Sequence, residues 1–495
     1  MSNLKVQALG PDLQNKAHTS KKTFKLKSCQ CLGIEFQSIT VEAMVAGGTQ
    51  QLSITGLPSS VIKDSREKIR LLVEQFTHWP NNKNLYIHLL PAGHLKIGSH
   101  FELAIFMAAV LALEQDNFPE AALEQIKKIH WTGSLNLHEE VESNQDSKIF
   151  KDFRGQKIFS PKNKMCLYEL MSRLQANDFS FLNLDTAKEA SDIIPLKFPR
   201  ITGRHKERFW ILCASLCQSP CLMLGPPGVG KSYLADWASY FAPNFSKQIQ
   251  SQRTKLWRLS SNTLKNRQKS LAPHSRSRIS EFIGFERSGK SFPGLLSLSH
   301  GGTLILDEFC ELNRDVREIL RVVLDQKQLI RHTRAGTVKW PSDFWLLCTS
   351  NPCPCGRSLI KDHGRCTCLA RQRLEYLNRL SGPLVDRMPL KLFLYEEERK
   401  SELYKVFKLD ELDHNKWQNI QTAFLDTKAV SKPTWLSNRR SNQRTQQQRK
   451  KLFQACSFLS NWLYPEQSAF DLKKIWQDFL SADDEILRFL NNDEL

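Results

Sequence analysis

The sequence lacks any apolar stretch long enough to cross a lipid bilayer. Its longest apolar run, from Leu103 to Leu113, is too short for a membrane helix, which needs about 20 residues, and is predicted to be a buried helix. The N-terminus also lacks an apolar core of signal-peptide length. These absences favour a cytoplasmic protein with no membrane partner.

Acidic residues are scarce relative to basic ones. The chain has 70 Lys and Arg against 51 Asp and Glu, a formal net charge of +19. This excess favours a polyanionic partner, and nucleic acid before a membrane surface, because no basic amphipathic helix stands out. A soluble protein that happens to be basic is the alternative. An odd number of cysteines, 13, without a secretion signal favours reduced thiols or a metal site over disulfides.

The length of 495 residues predicts two or three domains, and no internal repeat is evident. Residues 1–25 are polar and basic and are predicted to be a disordered tail. Residues 26–190 mix short β-like runs with helical stretches, which predicts an α+β domain. In residues 200–395 near-continuous apolar strands alternate with helices, which is typical of a parallel sheet covered on both faces. Residues 396–495 are predicted to be mostly helical.

The segment "GPPGVGKS", residues 225–232, fits the phosphate-loop pattern G-x-x-x-x-G-K-[ST]. It follows a predicted strand, Cys221 to Leu224, and opens a predicted helix, which is the context that the motif requires. Its glycines let backbone amides curl around a phosphate. Lys231 is expected to reach the β- and γ-phosphates of ATP, and Ser232 to bind Mg²⁺.

Two carboxylates, Asp307 and Glu308, end the apolar run "GGTLIL". Asp307 is predicted to hold Mg²⁺, and Glu308 to polarise the water that attacks ATP. A helix N-cap is the alternative, but the position downstream of a phosphate loop favours the nucleotide site. Asn351 ends the next apolar strand, where its amide can contact the γ-phosphate or that water. The predicted nucleotide-binding residues are Gly225, Pro226, Pro227, Gly228, Val229, Gly230, Lys231, Ser232 and Asp307.

Taken together, these motifs resemble the magnesium-chelatase-like AAA+ proteins of the ComM/YifB family. The stretches that carry the resemblance are "LSITGLPSSVIKDSREKIR", "IHLLPAGHLKIGSHFELAIFMAA", "APHSRSRISEFIGF", "FPGLLSLSHGGTLILDE", "NPCPCG" and "LSGPLVDRM". The resemblance implies an α/β fold with an AAA+ P-loop ATPase core, a Lon-protease-like N-terminal domain and a C-terminal helical lid. It places Asn351 at the position called sensor 1.

The function that this resemblance implies is an ATP-driven ring motor, a homo-hexamer that acts on single-stranded and branched DNA. Such a motor promotes branch migration and heteroduplex extension in recombination during natural transformation. The sequence departs from the family where "GFERSG", residues 284–289, replaces a run of glycines. Around "LSNRRSNQR", Arg439 is the preferred sensor 2 arginine, and Arg444 is the second choice.

The Lon-like stretch "KIGSHFEL" offers Ser99, one residue from where the protease nucleophile would fall. It has no convincing lysine partner, and a serine beside a glycine is more often a turn residue. The domain is therefore predicted to be a degenerate, non-proteolytic scaffold.

Four cysteines after Asn351 follow the pattern C-x-C, ten residues, C-x-C: Cys353, Cys355, Cys366 and Cys368. Four thiolates suit tetrahedral Zn²⁺, so a structural zinc is predicted. The usual knuckle is C-x-x-C, and four free cysteines in a loop are the alternative. His363 is a spare ligand candidate, although a lone loop histidine is more often solvated.

Arg387 follows "GPLVD". The residues alone favour a salt bridge within the chain, to Asp386 or another carboxylate. The resemblance instead implies an arginine that a subunit offers to its neighbour's γ-phosphate, where it would neutralise charge in the transition state.

Residues 247–280 contain nine Lys and Arg and no acidic residue. A charge run is usually a solvated face, but this one also contains Trp257, which could stack on a base. The segment "LIRHTRAGTVKW" is predicted to be a hairpin, and hairpins there resemble the pore loops of ring ATPases. The predicted DNA contacts are Arg331, Arg334, Lys339, Arg287 and Lys290.

Two other functions fit the same core. The ATPase subunit of a metal chelatase would lack the N-terminal domain and would not need the basic surface. A MoxR-like chaperone would remodel a protein partner. Stimulation of ATP hydrolysis by DNA would favour the motor, whereas stimulation by a protein client would favour the chaperone.

Overall fold

A computed structural model describes most of the chain. It covers residues 23–142, 156–161, 164–182, 201, 203–242, 245–260, 270–273, 277–287, 290–333, 336–358, 366–380, 382–395, 402–405, 407, 409–426, 443–464 and 469–491. The chain divides into two compact units. The first contains residues 1–190, 286–291 and 332–338, and the second contains residues 191–285, 292–331 and 339–495. The domain boundaries given above stay predictions.

Nine strands are described between residues 23 and 166, all in the first unit. They are β1 Thr23–Leu32, β2 Glu35–Gly47, β3 Leu52–Thr55, β4 Lys83–Leu90, β5 His130–Trp131, β6 Ser134–Leu135, β7 Glu140–Glu142, β8 Ile158–Phe159 and β9 Met165–Cys166. Six of them form a mixed sheet in the order β3-β4-β2-β1-β5-β8, and β6, β7 and β9 form a small antiparallel sheet. The side chains Phe24 and Leu26 of strand β1 are buried and alternate with exposed residues, as expected for a strand with one face on the core. The strand begins at Thr23, inside the segment predicted to be a disordered tail. That prediction is wrong for residues 23–25.

The helices of the first unit are Ser60–Asp64, Arg66–Phe76, Glu102–Glu114, Glu120–Lys128 and Leu167–Gln175, with short 3-10 turns at Ser99–Phe101 and Gln115–Asn117. The helix Glu102–Glu114 is buried from Glu102 to Ala112, which confirms the buried helix predicted from its apolar run. The buried carboxylate of Glu102 accepts hydrogen bonds from Lys68 Nζ at 2.7 Å and from the backbone of Leu135 at 2.8 Å. These partners offset the cost of removing a charge from water.

The strands of the second half are β10 Cys221–Leu224, β11 Ser270–Leu271, β12 Phe285–Arg287, β13 Lys290–Phe292, β14 Thr303–Leu306, β15 Gln328–Thr333, β16 Gly336–Pro341, β17 Trp345–Ser350 and β18 Leu390–Phe393. Five of them form a parallel sheet in the order β11-β14-β17-β10-β18. Every residue of β10, β14 and β17 is buried. The parallel sheet predicted from apolar strands is therefore confirmed, as is the hairpin formed by β15 and β16.

Twelve helices of the second unit lie in the described residues. They are His205–Leu216, Lys231–Tyr240, Lys247–Leu259, Ile279–Ile283, Leu295–Leu298, Arg314–Gln326, Ala370–Leu377, Gly382–Val385, Glu402–Lys405, His414–Asp426, Gln443–Leu463 and Ala469–Asn491, with 3-10 turns at Phe309–Glu311 and Leu409–Glu411. No described helix combines the length and the apolarity that a membrane crossing requires.

Aromatic side chains join the last helix to the core of the second unit. The rings of Trp210 and Phe479 lie 4.5 Å apart, and the rings of Trp476 and Phe479 lie 4.9 Å apart. The indole of Trp210 donates a hydrogen bond to the hydroxyl of Tyr404 at 3.1 Å. Large buried aromatic groups contribute much of a core's stabilisation, so the C-terminal helices are packed as part of this unit.

Candidate nucleotide site and cysteine cluster

The loop between β10 and the helix Lys231–Tyr240 has the conformation that its glycines predict. Gly228 and Gly230 have φ angles of +82° and +89°, in the left-handed region that glycine adopts without a steric penalty. The helix then begins at Lys231, so its first amides point toward the loop. A helix N-terminus with free amides is a site for an anion such as phosphate.

Lys231 is buried beside this loop, with 8% of its surface exposed. Its ammonium group donates to the carbonyls of Gly225 and Pro226, both at 2.8 Å, and to Asn351 Oδ1 at 3.0 Å. Burial lowers the pKa of Lys231, and the nearby carboxylates of Asp307 and Glu308 act in the opposite direction. A bound phosphate would add negative charge and favour the protonated amine.

Asp307 lies between two hydroxyl groups. Ser232 Oγ donates to Asp307 Oδ2 at 2.9 Å, and Thr349 Oγ1 donates to Asp307 Oδ1. Because β14 and β17 are neighbouring parallel strands, their carboxyl ends bring Asp307 and Thr349 to the same edge of the sheet. A carboxylate and a hydroxyl next to a phosphate loop are oxygen ligands that suit Mg²⁺.

Glu308 has a φ angle of +52°, which is unusual for a residue with a side chain and costs on the order of 1–3 kcal/mol. Its backbone amide donates to Thr349 Oγ1 at 3.3 Å. The side chain is exposed, so water can reach it. Strained backbone of this kind clusters at functional sites, and here it turns the chain directly after the strand that carries Asp307.

Thr349 was not singled out by the sequence interpretation. It is fully buried, and its hydroxyl donates to one site residue, Asp307, and accepts from the next, Glu308. Only the register between β14 and β17 reveals this position.

Arg204 is a second residue near the phosphate loop that no sequence motif indicates. Its guanidinium donates to the carbonyl of Tyr395 at 2.7 Å and to that of the loop residue Val229 at 3.4 Å.

Arg387 makes an ion pair within the chain. Its Nε donates to Asp325 Oδ1 at 2.8 Å and its Nη2 to Asp325 Oδ2 at 2.5 Å, a two-point geometry that fixes the plane of the guanidinium. The partner is Asp325 on the helix Arg314–Gln326, not the adjacent Asp386. Asp325 lies 62 positions away in the sequence, so no local pattern indicates the pair.

The predicted sensor 2 arginine Arg439 lies outside the described residues, as does the side chain of Arg444.

Among the predicted DNA contacts, Arg334 also lies outside the described residues. Arg287 and Lys339 are exposed, and Lys290 is partly exposed. Arg331 Nη1 donates to the carbonyl of Ile283 at 3.5 Å.

The acid-free stretch 247–280 begins with the helix Lys247–Leu259. Arg253 on this helix donates to the carbonyl of Gly301 at 2.7 Å, and burial lowers its pKa to about 10. His300 Nε2 donates to Oε1 of the neighbouring Gln252 at 3.0 Å, and burial lowers the pKa of His300 to about 4. Arg253 therefore supports the fold, and the basic charge of this stretch is not all surface charge. Trp257 is partly buried, and Lys265, Arg267, Lys269 and Arg276 lie outside the described residues.

The four cysteines predicted to bind a metal lie together. The sulfur atoms of Cys353, Cys355, Cys366 and Cys368 are all within 4.8 Å of one another. The sulfur of Cys353 is 3.4 Å from that of Cys355 and 3.7 Å from that of Cys366. Tetrahedral Zn²⁺ with Zn–S bonds of about 2.3 Å places sulfurs roughly 3.8 Å apart, so this cluster fits zinc. His363 lies outside the described residues.

The predicted protease-like serine lies in the 3-10 turn Ser99–Phe101. Lys96, three positions earlier, is fully buried, and its ammonium group donates to the carbonyls of Gly56 and Pro91. Burial lowers the pKa of Lys96. A lysine held by two carbonyls is occupied as a structural group, and the non-proteolytic role of the domain stays a prediction.

Two family models match the chain. Magnesium chelatase, subunit ChlI, matches residues 197–402, and subunit ChlI of Mg-chelatase matches residues 41–154. The chain is 28% identical over 381 residues to the uncharacterized protein YifB of Escherichia coli, covering 73% of this chain and 74% of YifB. It is 26% identical over 384 residues to the competence protein ComM of Haemophilus influenzae, with 73% and 74% covered. An uncharacterized protein of Mycobacterium tuberculosis is 27% identical over 392 residues, with 73% and 75% covered.

Proposed function

Because this chain belongs to the magnesium-chelatase-like AAA+ family that includes YifB and ComM, we propose that it is an ATP-hydrolysing ring motor that acts on DNA. The observation that carries the ATPase part is the meeting of Lys231, Ser232, Asp307 and Asn351 at the carboxyl edge of one parallel sheet. Ligands of open α/β sheets bind at that edge.

Each of these side chains has a role in ATP hydrolysis under this proposal. Lys231 binds the β- and γ-phosphates, and Ser232 and Asp307 hold Mg²⁺, which neutralises phosphate charge when bound. Glu308 accepts a proton from the attacking water, for which its exposed position leaves room. Asn351 orients the γ-phosphate or that water. Arg387 leaves its ion pair with Asp325 and contacts the γ-phosphate of the ATP bound by a neighbouring subunit.

The proposed DNA partner is supported by the basic charge of the chain and by the name of one of its relatives. The chain has a formal net charge of +19, and Lys339 and Arg287 are exposed on the strands β16 and β12. ComM is named a competence protein. We extend that role to this chain as branch migration and heteroduplex extension on single-stranded and branched DNA during natural transformation, by a homo-hexamer.

Three structural parts complete the proposal. The N-terminal domain is a degenerate Lon-protease-like scaffold, and the C-terminal helices form the lid of the ATPase. The four cysteines hold a structural Zn²⁺, which the spacing of their sulfurs supports.

A second candidate, the ATPase subunit of a metal chelatase, is favoured by the match of two family models of magnesium chelatase subunit ChlI. The test is the rate of ATP hydrolysis by the full chain with and without single-stranded DNA, with Glu308→Gln as the inactive control. The motor predicts that DNA stimulates hydrolysis. ATP hydrolysis that DNA leaves unchanged would contradict the motor and favour the chelatase subunit or a protein-remodelling chaperone.

A further inference from the structure

The segment that leaves β17 lies against the phosphate loop at three points. The carbonyl of Ser350 accepts a hydrogen bond from the amide of Gly225 at 3.3 Å. Asn351 Oδ1 accepts one from the ammonium group of Lys231 at 3.0 Å. The third contact lies farther along, where the backbone of Gly356 approaches Pro227. The segment that contains Cys353 and Cys355 is therefore a wall of the nucleotide site.

The contact between Gly356 and Pro227 leaves no space for a side chain. A Cβ atom added to Gly356 would lie 2.5 Å from Cδ and 3.0 Å from Cγ of Pro227. The φ angle of Gly356 is +76°, which also disfavours other residues. The position of Gly356 and the position of the phosphate loop are consequently interdependent.

The cysteine cluster determines the position of Gly356. Cys355 precedes Gly356 directly, and the carbonyl of Cys353 accepts a hydrogen bond from the amide of Gly356 at 2.9 Å. The amide of Cys355 donates to the sulfur of Cys368 at 3.4 Å, which ties this turn to the second half of the cluster. A metal ion held by all four sulfurs would fix the turn, and its loss would free it.

We infer that metal binding by the four cysteines and nucleotide binding by the phosphate loop are coupled through the contact between Gly356 and Pro227. The inference rests on the proposed ATP and zinc sites. Coupling between two sites is reciprocal, and its usual size is a 5- to 150-fold change in affinity. Bound zinc therefore strengthens nucleotide binding, and a bound nucleotide strengthens zinc binding by the same factor.

The experiment uses the full-length protein loaded with zinc. A chromogenic chelator, 4-(2-pyridylazo)resorcinol, competes with the protein for zinc at equilibrium and so reports zinc affinity with and without a non-hydrolysable ATP analogue and Mg²⁺. A fluorescent ATP analogue measures nucleotide affinity before and after zinc removal. We expect the nucleotide to strengthen zinc binding about fivefold or more, and zinc removal to weaken nucleotide binding by the same factor.

Three variants separate the contact from the metal. Gly356→Ala should keep about one zinc per chain and bind nucleotide more weakly, whereas Cys368→Ser should lose both zinc and affinity. Cys166→Ser, at an exposed cysteine outside the cluster, should change neither. These comparisons use thermal unfolding to check that each variant is folded.

Each negative result has one meaning. A wild-type protein that binds zinc and nucleotide, but binds zinc equally well with and without nucleotide and nucleotide equally well with and without zinc, overturns the coupling alone. Protein without any bound zinc overturns both the metal site and the coupling. Protein that binds no nucleotide at all overturns the proposed function itself.

Discussion

Replacing Thr349 with valine removes one hydroxyl group from the nucleotide site while keeping a β-branched side chain of similar size. In the wild-type protein this hydroxyl donates to Asp307 Oδ1 and accepts from the amide of Glu308. Thr349 is fully buried, so water cannot easily replace the lost partner. The variant therefore loosens the carboxylate proposed to hold Mg²⁺ and leaves the strained backbone at Glu308 without its acceptor.

The size of the effect follows from the bonds that are lost. A hydrogen bond to a charged group contributes about 1.5–3 kcal/mol, which corresponds to a factor of about 10 to 150. We expect this factor to be divided between a higher Mg²⁺ requirement and a lower kcat for ATP hydrolysis. Nucleotide binding without Mg²⁺ should be nearly unchanged, because Lys231 and Asn351 keep their contacts.

The assay is steady-state ATP hydrolysis over a range of Mg²⁺ concentrations, with thermal unfolding measured in parallel. Thr349→Ser restores the hydroxyl and should recover most of the activity. Thr303→Val is a matched control, because Thr303 is equally buried on the neighbouring strand β14, and its hydroxyl has no partner among the described residues. Wild-type kcat and Mg²⁺ dependence in Thr349→Val would refute the positioning role of Thr349.

Three further predictions follow from the proposed roles. Glu308→Gln should bind ATP normally and hydrolyse it about 10²-fold more slowly, since general-base catalysis supplies about that factor; near-normal turnover would remove Glu308 from the mechanism. Arg387→Ala subunits should bind ATP but hydrolyse it poorly, and mixing them with Lys231→Ala subunits should restore activity at hybrid interfaces, so hybrid rings without recovery would exclude a role in trans. If about six phosphates are neutralised, the logarithm of duplex affinity should fall with the logarithm of salt concentration at a slope near −5; alanine at both Arg331 and Lys339 should make that slope shallower, and an unchanged slope would exclude these residues as phosphate contacts.

The sequence alone predicts those parts of the site that consist of short contiguous motifs. The phosphate loop 225–232 and the carboxylate Asp307 each follow an apolar strand, and strands of that kind form a parallel sheet whose carboxyl ends share one edge. The cysteine cluster is also predicted, because four cysteines follow the pattern C-x-C, ten residues, C-x-C within one short segment.

The other contacts depend on register and tertiary packing, which a single sequence does not specify. Thr349 reaches Asp307 because of the alignment of β14 with β17, and Asp325 reaches Arg387 from another helix. The approach of Gly356 to Pro227 is likewise a tertiary contact. A sequence also does not show which of its basic residues lie at the surface. Arg253 in the basic stretch donates to a backbone carbonyl of the same chain.

If the proposed function is right, ATP hydrolysis at this site moves branched DNA. The measurement uses a four-way DNA junction with labelled arms, incubated with the full-length protein, Mg²⁺ and ATP, and resolved on a native gel. The wild-type protein should convert the junction into duplex products, and Glu308→Gln should bind the junction and leave it intact. A wild-type protein that hydrolyses ATP without stimulation by DNA and never resolves the junction would contradict the proposed function.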